Sequence, residues 1–303
     1  MANSLQNWWN TLRASLSLHA GSTSVHGFRM SPEAVRSFST AYAQKDGEVL
    51  GVDWYQPGEE KAAPEFLVLF VHGGGFSEGR RDDPRYVQFA RKLAQRGIWV
   101  MNLSYRLSMK GKSFGCDQQA SVKAETFRNA AEDIWDATAY ALQYVEGSGI
   151  PTPKIILCGS SAGAEAVLHA AYGPEPTLPP GFRYAAVVGM APAILNLEWI
   201  TRENAIPSLF FHGVDDLLVP YGSASHHYCS PGQPGYLMLH GAGSIAARLR
   251  DLEMPYQLVK GLNGGHGWAD KPLFDHVDLL FRFLHLYLRE NRFLQEETEM
   301  WWR

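Results

Sequence analysis

A chain of 303 residues is long enough for one large α/β domain or two small ones. Apolar residues make up 46% and charged residues 19%, so the chain can bury a substantial core without disulfides or metals. The formal net charge of −4 and the lack of any Lys/Arg run argue against a nucleic-acid partner, and no apolar stretch approaches the roughly 20 residues of a membrane helix.

The first residues carry neither a basic leader nor a continuous apolar core, which leaves the compartment open between the cytoplasm and export with a leader absent. Residues 1–44 are polar and Ser-rich and suggest no strand; Trp8, Trp9, Leu12 and Leu16 recur at helical spacing. This stretch reads as an N-terminal extension, with a helix packed on the domain or near its site. Residues 45–303 read as one catalytic domain. Val49–Trp54 has strand character, and Phe66–Val71 is a continuous apolar run, as expected of a central strand buried on both faces. Pro84 to Gln95 predicts a helix stopped by Gly97, and Ile98–Leu103 the next strand. A long helix over Thr126–Tyr144, a strand at Ile155–Cys158 and a small-residue helix at Ala162–Tyr172 follow. Further strands are expected at Ala185–Val188, Leu209–Phe211 and Tyr256–Val259, and a closing helix over Leu273–Leu288. Strands alternating with helices imply a mostly parallel, twisted sheet covered by helices on both faces.

Four segments carry chemistry. Gly159-Ser160-Ser161-Ala162-Gly163 lies between a buried strand and a helix. That tight turn needs small residues beside the central serine and stands its hydroxyl above the sheet at the positive end of a helix. Ser161 is therefore the candidate nucleophile; Ser160 occupies a flanking position where small size is what counts. His72-Gly73-Gly74-Gly75-Phe76 follows the Phe66–Val71 strand, and its glycines can turn backbone amides toward a reacting carbonyl. Gly74, Gly75 and Ala162 are the candidate oxyanion donors, and His72 is expected to orient the loop. Late in the chain, Gly264-Gly265-His266-Gly267 follows a final strand, making His266 the candidate base. The loop His212-Gly213-Val214-Asp215-Asp216-Leu217-Leu218-Val219-Pro220 offers two adjacent aspartates, and its register to Val219-Pro220 favours Asp216. The order Ser, Asp, His then permits an acyl-enzyme mechanism that calls for no cofactor or metal.

Phe76, Tyr105, Phe114, Tyr221 and Trp268 flank these positions and are candidate pocket walls, while His226, His227 and His240 could edge it. His276 and His285 are read as surface or packing residues. About 50 residues separate Ser161 from Asp216 and Asp216 from His266, too few for a large inserted cap. A partly open site suits short acyl groups. Cys116 and Cys229 both fall on loops after carboxyl ends of strands, hence on the same face. They are expected to approach at the pocket rim, either bridged or as two separate loop thiols. Cys158 sits inside a buried strand.

Together, His72–Phe76, Ser104-Tyr105-Arg106-Leu107, the Ser161 turn, His212–Pro220 and Gly265–Gly267 resemble bacterial carboxylesterases of the α/β-hydrolase superfamily over roughly residues 46–290. The nearest types are the acetylxylan and feruloyl esterase-like enzymes, with hormone-sensitive-lipase-like esterases more distant. The resemblance implies an α/β-hydrolase fold and a small-molecule or carbohydrate ester as substrate. An amidase, formamidase or peptidase on the same triad remains the alternative. A non-catalytic binding protein on this scaffold would be expected to lack one of the three residues.

Overall fold

The computed structural model describes residues 24–29, 34–58 and 63–301. The stretch Trp8 to Leu16 lies outside the described residues. Nine strands form the main sheet among the described residues: β1 (Arg36–Lys45), β2 (Glu48–Gln56), β3 (Phe66–Val71), β4 (Trp99–Leu103), β5 (Lys154–Ser160), β6 (Ala186–Met190), β7 (Ser208–Gly213), β8 (Tyr256–Leu262) and β9 (Gln295–Trp301). Their spatial order is β9-β8-β7-β6-β5-β3-β4-β2-β1. β2 runs antiparallel to both β1 and β4, and the remaining pairs are parallel.

Side-chain alternation along β3 builds two cores. Leu67, Leu69 and Val71 face α2 (Ala120–Gly147), α3 (Ala162–Tyr172) and α4 (Ala242–Asp251). Phe66, Val68 and Phe70 face α1 (Pro84–Ala94) and the closing helix Val277–Phe283. All six β3 residues are buried, so the continuous apolar run follows from helices on both sheet faces. α1 begins where expected because Asp83 accepts the Arg85 amide at 2.9 Å and Pro84 occupies the first turn.

Four elements differ from the sequence expectation. Arg36–Lys45 is already an edge strand, inside the stretch that suggested none. Phe38, Thr40 and Tyr42 alternate as its half-buried residues up to a register shift at Ala41–Ala43, and one of these is a threonine bonded to the Tyr140 hydroxyl at 2.7 Å. β9 is an acidic strand, QEETEMW, whose carboxylates pair with Arg282, Lys260 and Arg250. α2 starts six residues earlier than Thr126, because its first turn docks on the 229–235 segment through Ala120 N–H to Pro234 O. The closing helix breaks at His276, whose backbone leaves the helical region while its ring stacks on Trp268, and it ends as a π-helical turn at Leu284–Arg289.

Arg106 joins the loop after β4 to α2. Its backbone N–H and guanidinium grip the buried Asp133 carboxylate at 2.7–2.9 Å, and Nη2 reaches Asn129 O and Glu132. No helix of the described residues is long and apolar enough to cross a membrane.

Candidate active site

The carboxyl ends of β3, β5, β7 and β8 converge on one cleft of about 740 Å³. Ser161 sits between β5 and α3 with φ 52° and ψ −122°, a conformation that L-residues rarely adopt and that marks a strained turn. Its N–H donates to Met190 O at 2.8 Å, and α3 winds onward from its carbonyl. The helix can start this close to the sheet because Gly163 has no side chain: a Cβ there would stand 2.1 Å from Val71 O.

Two bonds of 2.8 Å make a chain. Ser161 Oγ lies against His266 Nε2, and His266 Nδ1 against Asp216 Oδ2. Asp216 is almost fully buried, and burial by itself would raise its pKa. Hydrogen bonds from His212 and His266 outweigh that and hold the carboxyl well below the ordinary carboxylate range. Its other oxygen accepts the amides of Leu218 and Val219 at 2.8 and 3.1 Å. Asp215, one residue earlier, is exposed, and its amide donates to Gly264 O at 3.1 Å. Ser160 is buried, with Oγ 3.4 Å from Asp270 Oδ1, and has no histidine contact.

The loop after β3 passes through left-handed backbone at Gly74, Gly75 and Phe76, with φ of 121°, 59° and 55°. A Cβ at Gly74 would lie 2.2 Å from Glu78 O. Gly74, Gly75 and Ala162 all line the cleft beside Ser161. His72 steadies the loop: Nδ1 donates to Gly73 O at 2.7 Å, and its own carbonyl accepts the Tyr105 hydroxyl at 2.9 Å. Burial lowers the His72 pKa, only partly opposed by the bond to Gly73.

The expected walls divide. Phe76 and Phe114 line the cleft, their ring centroids 5.7 Å apart, and His226 and His227 edge it. Tyr105, Tyr221, Trp268 and His240 are corrections. Tyr105 is spent behind the loop on His72. Tyr221 stands edge-on to His212, behind the acid loop. Trp268 is fully buried in the second core, stacked 5.6 Å from His276. His240 bonds Ser223 Oγ at 2.7 Å, away from the cleft. His285 pairs with Glu290.

Two residues were missed. His212 is fully buried, with Nε2 3.3 Å from Asp216 Oδ2 and 3.1 Å from Val219 O, making it a second imidazole on the same carboxylate. Its position four residues before Asp216 was the available signal. Glu165 lines the cleft from inside α3, where nothing in the sequence separates it from an ordinary helical glutamate.

Cys116 and Cys229 form a disulfide with Cα atoms 5.3 Å apart, joining the two rim loops. Cys158 is buried and free. No group of three or more His, Cys, Asp or Glu residues among the described residues could hold a metal ion.

A nearly all-parallel sheet with a strained serine turn after a central strand, and a histidine and an aspartate on later loops, is the α/β-hydrolase fold. Residues 52–178 match the BD-FAE family model. Gut esterase 1 of Caenorhabditis elegans is 31% identical over 117 residues, 38% of this chain and 20% of that protein, so the match spans about a fifth of its length. Thermogutta terrifontis esterase 2 in its propionate-bound form superposes with a TM-score of 0.60 at 19% identity, covering 85% of this chain and 95% of the other. The butyrate-bound form gives 0.58 at 19% identity, with the same coverage of both chains.

Proposed function

We propose that the chain is a serine carboxylesterase hydrolysing short-chain acyl esters through an acyl-enzyme on Ser161. The observation that carries the reading is the bonded chain from Ser161 through His266 to Asp216, opening on a cleft lined by the amide-bearing Gly74, Gly75 and Ala162. Asp216 holds the His266 ring with Nε2 facing the serine. His266 takes the Ser161 proton as the hydroxyl attacks the ester carbonyl. The Gly74, Gly75 and Ala162 amides receive the oxyanion, and His266 returns the proton to the departing alcohol. Water, activated by the same histidine, then releases the acid.

Three lines support an ester of modest size: the BD-FAE match, the esterase names of the relatives, and the propionate and butyrate bound to the Thermogutta enzyme. Acetyl or feruloyl groups on carbohydrate are the finer candidates, from the resemblance to acetylxylan and feruloyl esterases.

The test compares an acetyl ester with the matching acetamide on the purified wild type and on Ser161→Ala. The ester is turned over far faster than the amide, and Ser161→Ala leaves less than about a thousandth of the wild-type rate. A variant keeping a tenth of that rate would refute the nucleophile. A faster amide would move the chain to the amidases.

A further inference from the structure

Glu165 and His226 meet the same cleft from opposite elements. Glu165 stands one turn into α3, its amide donating to Ser161 O at 3.0 Å. His226 lies on the rim loop that the disulfide ties to the Phe114 loop, its ring edge-on to Phe114 at 4.8 Å. Both residues line the cleft beside Ser161, and both are more than nine-tenths buried, at 3% and 4% exposure. Glu165 Oε1 and His226 Nδ1 have no hydrogen-bond partner among the described residues. Folded proteins rarely leave such atoms unmatched, and two of them on residues that line one cleft point to a partner brought by the ligand.

We propose that Glu165 and His226 form a polar subsite that takes a neutral hydroxyl group on the substrate, close to the scissile ester bond. The inference rests on the esterase reading and names a preference within it.

The charges around the subsite select a neutral group. Burial pushes the Glu165 carboxyl up to about 8, with the Asp216 charge adding to the shift, so near neutrality it is mostly protonated and can donate. Burial, then His227 and Lys123, push His226 down to about 2, leaving it an uncharged ring. His169 shares α3 with Glu165; its Nδ1 donates to the Glu165 backbone carbonyl at 2.7 Å and its Nε2 accepts the Leu195 amide at 3.4 Å. A substrate carboxylate would face Glu165 and the ionised Asp216. A substrate ammonium would approach the buried Lys123, whose Nζ is held on Gly235 O at 3.0 Å. A hydroxyl meets neither obstacle: its oxygen accepts from the Glu165 carboxyl, and its proton goes to His226 Nδ1.

The experiment uses paired esters in which a hydroxyl replaces a methyl. p-Nitrophenyl 3-hydroxybutyrate against the isovalerate places it on the acyl arm, and 2-hydroxyethyl acetate against propyl acetate on the alcohol arm. The readout is the ratio of kcat/KM within each pair, corrected for base hydrolysis, in the wild type, Glu165→Gln and Glu165→Leu. A ratio cancels losses common to both substrates. In the wild type one arm favours the hydroxyl by about tenfold or more. Glu165→Leu brings that ratio to about one or below, and Glu165→Gln keeps part of it. Wild-type ratios near one on both arms overturn the proposal, as does an unchanged ratio in Glu165→Leu. Preference for the 3-aminobutyrate ester over the hydroxy ester would make this a cation site and also overturns it. Turnover of all esters without discrimination sinks the subsite alone, whereas no turnover of any ester sinks the esterase reading with it.

Discussion

Asp216 and Asp215 are adjacent and chemically identical, yet only one carboxylate is held. Asp216 accepts from two backbone amides and faces two imidazoles, while Asp215 projects to solvent. Asp216→Asn puts an NH₂ or a weaker acceptor against His266 Nδ1 and disturbs the tautomer. A loss in kcat on the order of 10⁴ is expected, the size seen for the equivalent change in a serine protease, against less than about threefold for Asp215→Asn. Steady-state kinetics of both variants decide it, and the reverse order would reassign the acid. Glu165 makes a second residue-scale prediction, in stability. Its folded pKa of about 8 lies above the ordinary 4.5, so its contribution is complete below about pH 4.5 and is lost as pH rises through 8. Asp216 has the opposite sign: its pKa is lowered, so its contribution is present above 3.8 and lost only on acidification. Between pH 5 and 9 the Glu165 effect therefore stands alone of the two. Urea unfolding should show the wild type losing stability relative to Glu165→Gln across that range, by up to a few kcal/mol. A difference that does not change with pH would mean that the carboxyl is not held neutral.

At the scale of elements, what the sequence displayed depended on whether local pattern and tertiary role coincide. β3 and the Ser161 turn were legible because complete burial and a tight turn each force a composition on consecutive residues. β1 and β9 were not, because an edge strand buries only alternate residues and both strands carry polar groups there. The pocket wall was harder still. Aromatic side chains next to a motif in sequence turn either to the cleft or to the core behind it. Phe76 and Phe114 took the first course, Tyr105 and Trp268 the second. The nearness of the two cysteine loops was readable at this scale, since parallel topology puts both on one face, whereas the bridge itself stayed open until the structure closed it. The bridge spans 113 residues and lies beside Phe114 on one loop and His226 on the other. Chain-entropy arguments put the stabilisation by such a loop at about 4–5 kcal/mol, an upper figure for most proteins. Cys116→Ala/Cys229→Ala should lower Tm and raise KM more than it lowers kcat, because the rim loops loosen while Ser161, Asp216 and His266 stay anchored just past the ends of β5, β7 and β8. Differential scanning calorimetry and kinetics measure the two effects, and an unchanged KM would detach the bridge from substrate binding.

Across the whole molecule, one sheet carries Ser161, Asp216 and His266 just past the ends of its strands, and the connections between them are short. The stretch from Ser161 to Asp216 is used by α3, β6, β7 and the short strand Ala193–Ile194, and that from Asp216 to His266 by α4, β8 and the strands Ser223–Ser225 and Met238–Gly241, which pair with Ala193–Ile194 in a small sheet. Neither of these two intervals leaves room for a large inserted lid, and the exposed Leu217 and Leu218 stand beside the cleft. A long acyl chain gains only what it removes from water, about 0.8 kcal/mol for each fully buried methylene. Beyond the first few carbons it has two courses here. It can run into the open mouth, where burial is slight, or lie over Glu165 and His226, whose unpartnered polar atoms a methyl group would seal from any donor or acceptor. Neither course rewards length. Among p-nitrophenyl esters, kcat/KM should therefore be highest between acetyl and butyryl and at least about tenfold lower at octanoyl. An optimum near ten carbons would require an apolar tunnel that this cleft does not contain.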